Sequence, residues 1–235
     1  DLEDYIRHLN RSGYAPVSRN RTVYIIRSFY NYCCKKEYVL YNHGMKLEPI
    51  SVTEKERIFL TPKEMKELIS AINHRLIRLI VCTLYYTGMR ISECLNLLTT
   101  DVNLSEQVIT VRNTKNKKFR HIPINDRLLP LLTDYWNNWR KGPKNPYFFS
   151  IDNVHKVSPD HVNRILRKAC KELGWDKHVT CHIIRHSFAS SLVAKNVNIV
   201  NIQKLLGHSN LSTTSIYTHT NFDALKTAVN SINVI

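Results

Sequence analysis

Two arginines, two histidines and one late tyrosine are the residues of this chain best suited to chemistry. Arg90 lies in Thr87-Gly88-Met89-Arg90-Ile91-Ser92-Glu93, and Arg185 in His182-Ile183-Ile184-Arg185-His186. Tyr217 closes the run Leu205-Leu206-Gly207-His208-Ser209-Asn210-Leu211-Ser212-Thr213-Thr214-Ser215-Ile216-Tyr217. Attack on a phosphodiester builds charge on its non-bridging oxygens. Guanidiniums meet that charge with permanent, bidentate donors, where lysine is a poorer geometric match. His182 and Arg185 stand three apart and share one helix face, so an imidazole could move a proton beside the clamp. His208 follows Gly207, a helix-ending residue, and is expected in a turn. A tyrosine hydroxyl, with a free pKa of about 10, becomes a nucleophile only beside positive charge or a proton acceptor. A departing 5′-oxygen needs a proton, and the polar turn Thr114-Lys115-Asn116-Lys117-Lys118 offers a lysine to supply it.

Each of these residues also has a plainer reading. Arg90 could be a surface or capping arginine, Tyr217 a packed amphipath, and the lysines a solvated turn tip. His178, Cys181, His182 and His186 lie close enough in sequence to raise a metal site. No HExxH and no second ligand pair at a usual spacing accompany them, so no metal and no cofactor is expected.

Composition sets the bounds. The 235 residues carry 34 Lys and Arg against 19 Asp and Glu, a formal net charge of +15. Such a cationic field favours polyanion partners without identifying a fold or a reaction. An apolar fraction of 43% allows a real core. The six cysteines form no CxxC pair and sit mostly in apolar runs, which points to buried free thiols in a reducing compartment. No apolar run reaches the roughly 18 residues of a membrane helix, and no signal peptide is recognised. A cytoplasmic, nucleoid-associated protein is expected.

The elements that must position these residues are mainly helical. Residues 1 to about 46 read as short helices, with Leu2, Tyr5, Ile6 and Leu9 on one face. Arg19, Arg21 and Arg27 punctuate a second run and, with Lys35 and Lys36, are candidate phosphate contacts; solvated helix charge is the other reading. Residues 51–57 read as a linker, polar and without clear period. Thr61-Pro62-Lys63-Glu64 then opens a second domain with a capping threonine, a proline at the first helical position and a glutamate at the third. The pattern predicts a helix from Leu76 to Tyr86 that Gly88 ends, and another from Arg90 to Leu98. Val108–Val111 and His121–Ile124 predict a β-hairpin. Further helices are predicted over 126–139, 158–173, 180–194, 199–206, near 213–217, and over 222–230. The fold class is α+β, mainly α with a small hairpin. Its domains are a partial helical domain over 1–50, the linker over 51–57 and a catalytic domain over 58–235.

With these residues in place, the chain resembles the tyrosine recombinases, the phage integrase family, of the Xer and transposon-integrase kind. Arg90, Lys115, His182, Arg185, His208 and Tyr217 match that family's Arg-Lys-His-Arg-His-Tyr set in order and type, with Lys117 and Lys118 as alternates for the lysine. The flanking patterns TGMRISE, HIIRHSFAS and LLGHSNLSTTSIYTH agree.

The resemblance implies a site-specific recombinase in which Tyr217 attacks the scissile phosphate. A 3′-phosphotyrosyl link forms, and two rounds of exchange pass through a Holliday junction. Arg90, Arg185 and His208 would hold the phosphate, Lys115 would act as general acid and His182 would assist proton transfer. Glu93 would orient Arg90 or its neighbours, a plain surface glutamate being the other reading. The N-terminal helices resemble, more weakly, the family's core-binding domain, with further helices expected before Asp1. Implied partners are double-stranded DNA sites, a homotetramer on synapsed DNA with C-terminal tail exchange, and an accessory directionality factor. Arg19, Arg21, Arg27, Lys117 and Lys118 would add DNA contacts. Integration, excision or resolution of a mobile element is the expected role, with chromosome dimer resolution as the alternative. A type IB topoisomerase, a non-enzymatic DNA-binding module and a metallohydrolase are the competing readings.

Overall fold

The computed structural model describes residues 1–52, 58–113, 118–140, 144–207 and 222–234. The chain divides into two compact units, Asp1–Arg57 and Ile58–Ile235.

In the first unit Asp1 caps helix α1 (Leu2–Arg11), its carboxylate accepting from the Glu3 and Asp4 backbone N–H groups. Where the sequence suggests short helices, residues 16–35 form one 20-residue helix, α2 (Pro16–Lys35), started by proline at its first position. The following strap is tied to α2 by side chains. Arg27 Nη2 donates to the Leu47 carbonyl at 2.6 Å, Asn42 Nδ2 to the Arg27 carbonyl at 3.1 Å, and the Ile50 N–H to Asn20 Oδ1 at 2.9 Å.

The second unit opens as the capping pattern predicts. Thr61 and Glu64 cap α3 (Pro62–Ala71) reciprocally, and Lys177 pairs with Glu64. Helix α4 (Arg75–Thr87) is buried at every position from Leu76 to Thr87 except Arg78, so it runs through the core. Gly88 ends it in the left-handed region (φ +64°). A Cβ there would stand 2.4 Å from the Phe188 ring, so this turn needs glycine for space as well as for φ. Helix α5 (Ile91–Leu95) is shorter than the pattern suggests. The chain leaves it at Asn96, and Leu98 instead enters a bridge with Tyr147 and a 3₁₀ turn capped by Asp101.

Three antiparallel strands follow: β1 (Val102–Asn103), β2 (Val108–Asn113) and β3 (Lys118–Pro123), in the order β1-β2-β3. The expected hairpin is β2–β3, and β1 is an addition that two residues could not announce. Helix α6 (Leu128–Asp134) passes into a π turn over Tyr135–Trp139. A small hairpin, β4 (Ser150–Ile151) with β5 (His155–Lys156), precedes α7 (Pro159–Glu172), α8 (Cys181–Ala194) and α9 (Ile199–Leu206). Helices α4 and α8 pack on each other, and one core gathers side chains from α3 to the tail. Each fully buried Leu or Ile there contributes about 1.5–3 kcal/mol.

Helix α10 (Phe222–Asn230) lies against β3 and α9. Leu225, Ala228, Val229, Ile232 and Val234 enter the same core, and Asn125 Nδ2 donates to the Val229 carbonyl at 2.6 Å. In this single chain the described tail therefore packs on its own unit. All six cysteines are free thiols, five of them buried. Among the described residues no helix is long and apolar enough to cross a membrane.

Candidate active site

Of the six predicted catalytic residues, the described structure contains Arg90, His182 and Arg185. Lys115, His208 and Tyr217 lie outside the described residues, as do Lys117 and the short helix expected near 213–217. Lys118 begins β3.

Arg90 is the N-cap of α5, set there by the Gly88 turn that stops α4. Its side chain is about half exposed (47%). Arg185 is nearly sequestered, 6% exposed, on the second turn of α8. Thr180 starts that helix by accepting from the Ile183 N–H, which fixes where the His182–Arg185 face begins. Arg185 Nη1 donates to the Gly88 carbonyl at 2.6 Å and Nη2 to the Leu206 carbonyl at 2.9 Å. One guanidinium thus ties the end of α4 to the end of α9. Among the described residues these are its hydrogen bonds, so donors of the five-donor fork remain for an anion. Burial, then the neighbouring Arg90, lower its pKa to about 10, well above neutrality, so it stays charged.

Glu93 sits between the arginines, 14% exposed. It accepts from the Arg90 backbone N–H (2.7 Å) and from Arg90 Nη1 (3.0 Å). It also accepts a fork from Arg120, Nη1 at 3.0 Å and Nη2 at 2.7 Å, while Arg185 Nη1 stands 4.0 Å away. Burial alone would push this carboxyl up. The hydrogen bond and charge of Arg120, with the Arg90 backbone N–H and charge, outweigh it and hold the pKa at about 2. Three guanidiniums around one carboxylate leave an excess of two positive charges, suited to a phosphodiester that gains charge during displacement.

His182 is exposed on the first turn of α8, and its ring meets that of His186 edge to face at 4.6 Å. Among the described residues no group of three or more His, Cys, Asp or Glu could hold a metal ion, so His178, Cys181, His182 and His186 are not gathered into one.

Arg120 was not singled out from the sequence, although a signal existed. Alternation along β3 exposes Phe119 and His121 and buries Ile122. An arginine on the inward face, two residues before a buried isoleucine, must have a partner there. The N-terminal arginines divide. Arg21 is exposed, Arg19 Nε donates to the Tyr14 carbonyl at 3.1 Å, and Arg27 is engaged with Leu47.

Comparison with known proteins shows the family and the fold. Residues 58–224 match the model of the phage integrase family. A tyrosine recombinase of Thermosipho africanus is 35% identical over 239 residues, covering 96% of this chain and 83% of the relative. Tyrosine recombinase XerA of Pyrococcus furiosus is 35% identical over 240 residues, covering 100% and 81%. The crystal structure of a XerA recombinase superposes with a TM-score of 0.61 at 30% identity, covering 97% of this chain and 80% of that one. The Tn1549 transposon integrase in complex with circular intermediate DNA superposes with a TM-score of 0.78 at 21% identity, covering 97% and 83%, a likeness of fold. The chain belongs to the phage integrase family and is a tyrosine site-specific recombinase.

Proposed function

We propose that this recombinase cleaves and rejoins DNA through a 3′-phosphotyrosyl intermediate formed on Tyr217. The observation that carries the reading is the convergence of Arg90 and Arg185 on one carboxylate with donors left over. In this reading the scissile phosphate takes those donors. The Tyr217 oxygen attacks phosphorus, the phosphorus–O5′ bond breaks, and the 5′-oxygen takes a proton from Lys115. His182, three residues before Arg185 on the same helix face, assists proton transfer, and His208 adds a donor to the phosphate. The covalent link preserves bond energy, and the released 5′-hydroxyl of a partner strand reverses the chemistry. Two such rounds pass through a Holliday junction on a homotetramer, with residues 222–235 exchanged between neighbours. Arg21 and the Lys117 and Lys118 pair are proposed as phosphate contacts, together with Arg19 and Arg27 by their remaining donors. The proposed role is integration, excision or resolution of a mobile element in the cytoplasm, at the nucleoid, with an accessory directionality factor. Chromosome dimer resolution differs from it only in where the DNA sites lie.

Covalent trapping tests this. A nicked suicide duplex carrying the terminal sequences of the encoding element is incubated with the parent protein and with Tyr217→Phe. An adduct that survives denaturation and vanishes in the variant is the expected result. An adduct that persists in Tyr217→Phe would assign the nucleophile elsewhere.

A further inference from the structure

We propose that Arg120 is a positioning residue for strand cleavage, acting by occupying Glu93 so that Glu93 does not capture the phosphate-binding arginines. The proposal rests on the recombinase reading of this site. Arg120 belongs to β3, paired opposite Val111, outside both arginine motifs. Its side chain is 15% exposed and, among the described residues, makes three hydrogen bonds. Two are the fork onto Glu93, and the third runs from Nε to the Leu205 carbonyl at 3.0 Å. Gly207, the residue before His208, leaves room for this side chain. A Cβ on Gly207 would stand 2.6 Å from Arg120 Nη1. The guanidinium is therefore wedged between the carboxylate and the end of α9.

The chemical consequence follows from counting acceptor sites. A carboxylate offers about four lone-pair sites, and Glu93 receives four N–H donors, two of them from Arg120. Removing Arg120 vacates two sites on a buried, ionised carboxylate. The nearest unused donors belong to Arg90, already bonded to Glu93, and to Arg185, 4.0 Å away. A buried charge takes what partners it can reach. Both arginines would turn from the phosphate towards Glu93, and the site would lose donors it needs when charge develops.

The distinguishing test is a reversal of sign. Cleavage of the nicked suicide duplex is followed under single turnover, with duplex affinity measured separately. Arg120→Gln is expected to cleave about a hundredfold more slowly while binding within about threefold of the parent. Glu93→Gln is expected to slow the parent, because Arg90 loses its charged anchor. In the Arg120→Gln background the same change is expected to raise cleavage about tenfold, since the capturing charge is gone. A merely structural arginine predicts that Glu93→Gln harms both backgrounds, and that result overturns the proposal. Parent-like cleavage by Arg120→Gln overturns it as well. If Arg120→Gln does not fold, Arg120→Lys carries the test because it keeps the charge beside Glu93. Cleavage within about tenfold of the parent supports the role, and a deeper loss in a folded lysine variant overturns it. Failure of the parent to form any adduct removes the recombinase reading itself, and is thereby distinct from a failure confined to Arg120.

Discussion

Arg140 and Arg185 are both buried arginines, 1% and 6% exposed, yet their surroundings differ in kind. Arg140 follows the π turn and is enclosed by neutral oxygens. Nε donates to the Phe148 carbonyl (3.3 Å), Nη1 to Asn153 Oδ1 (3.0 Å), and Nη2 to the Asn145 and Tyr147 carbonyls (3.0 and 2.9 Å). Every nitrogen of that fork is engaged, and its work is to hold the loops between α6 and α7. Among the described residues Arg185 meets two carbonyls with donors left over, and it sits beside two other guanidiniums. Burial and charge are common to both, so neither marks a functional arginine. What separates them is the company of like charges and donors left over among the described residues, the arrangement on which the proposed phosphate clamp rests.

The largest effect that would sharpen this contrast is on cleavage. Arg185→Lys keeps the charge but cannot hold the Gly88 and Leu206 carbonyls and a phosphate together. Single-turnover adduct formation is expected to fall about a thousandfold. Undiminished cleavage by this variant would break the comparison.

Arg140→Met should show the reverse. Six carbonyl or amide oxygens of Asn145, Tyr147, Phe148 and Asn153 lose a donor, which costs about 3 kcal/mol or more by denaturant unfolding. Cleavage per folded molecule should stay near the parent. A loss of chemistry without a loss of stability would put Arg140 in the site.

The smallest effect separates the two regions by pH. Glu93 is held near a pKa of about 2 from an ordinary 4.5, so its ionisation stabilises the folded state. That contribution, about 3 kcal/mol at most, is fully present above pH 4.5 and is lost as pH falls towards 2. Stability curves of the parent and Glu93→Gln should therefore converge as pH falls through that window. The deficit of Arg140→Met should not close there, because its direct partners are neutral. A parent-to-Glu93→Gln difference that stays constant across the window would show that the carboxylate is not the stabilising group.

Much of the site was legible because it is written locally. Thr61 to Glu64 predicts its own cap, Gly88 its own helix end, and the three-residue interval of His182 and Arg185 a shared face, each resting on contacts within a turn or two. The end of α5 was not legible. Leu98 is drawn off by Tyr147, nearly fifty positions away, and helical propensity over Arg90–Leu98 carries no trace of that bridge. β1, β4 and β5 have two residues each and no period to read. The long second helix was obscured because the apolar residues of α2 do not keep to one side. Val23 is buried while Tyr24, Ile25 and Phe29 are exposed.

By itself the sequence determined the reaction class, since the order and type of the chemical residues, with their flanking motifs, do not depend on knowing their coordinates. Tertiary structure alone decided which arginines share a carboxylate. Arg120 reaches Glu93 across 27 positions and Leu205 across 85, through a strand register and a helix end that no local pattern encodes. A buried ion must find its partner in space, and the chain brings that partner from wherever packing has put it.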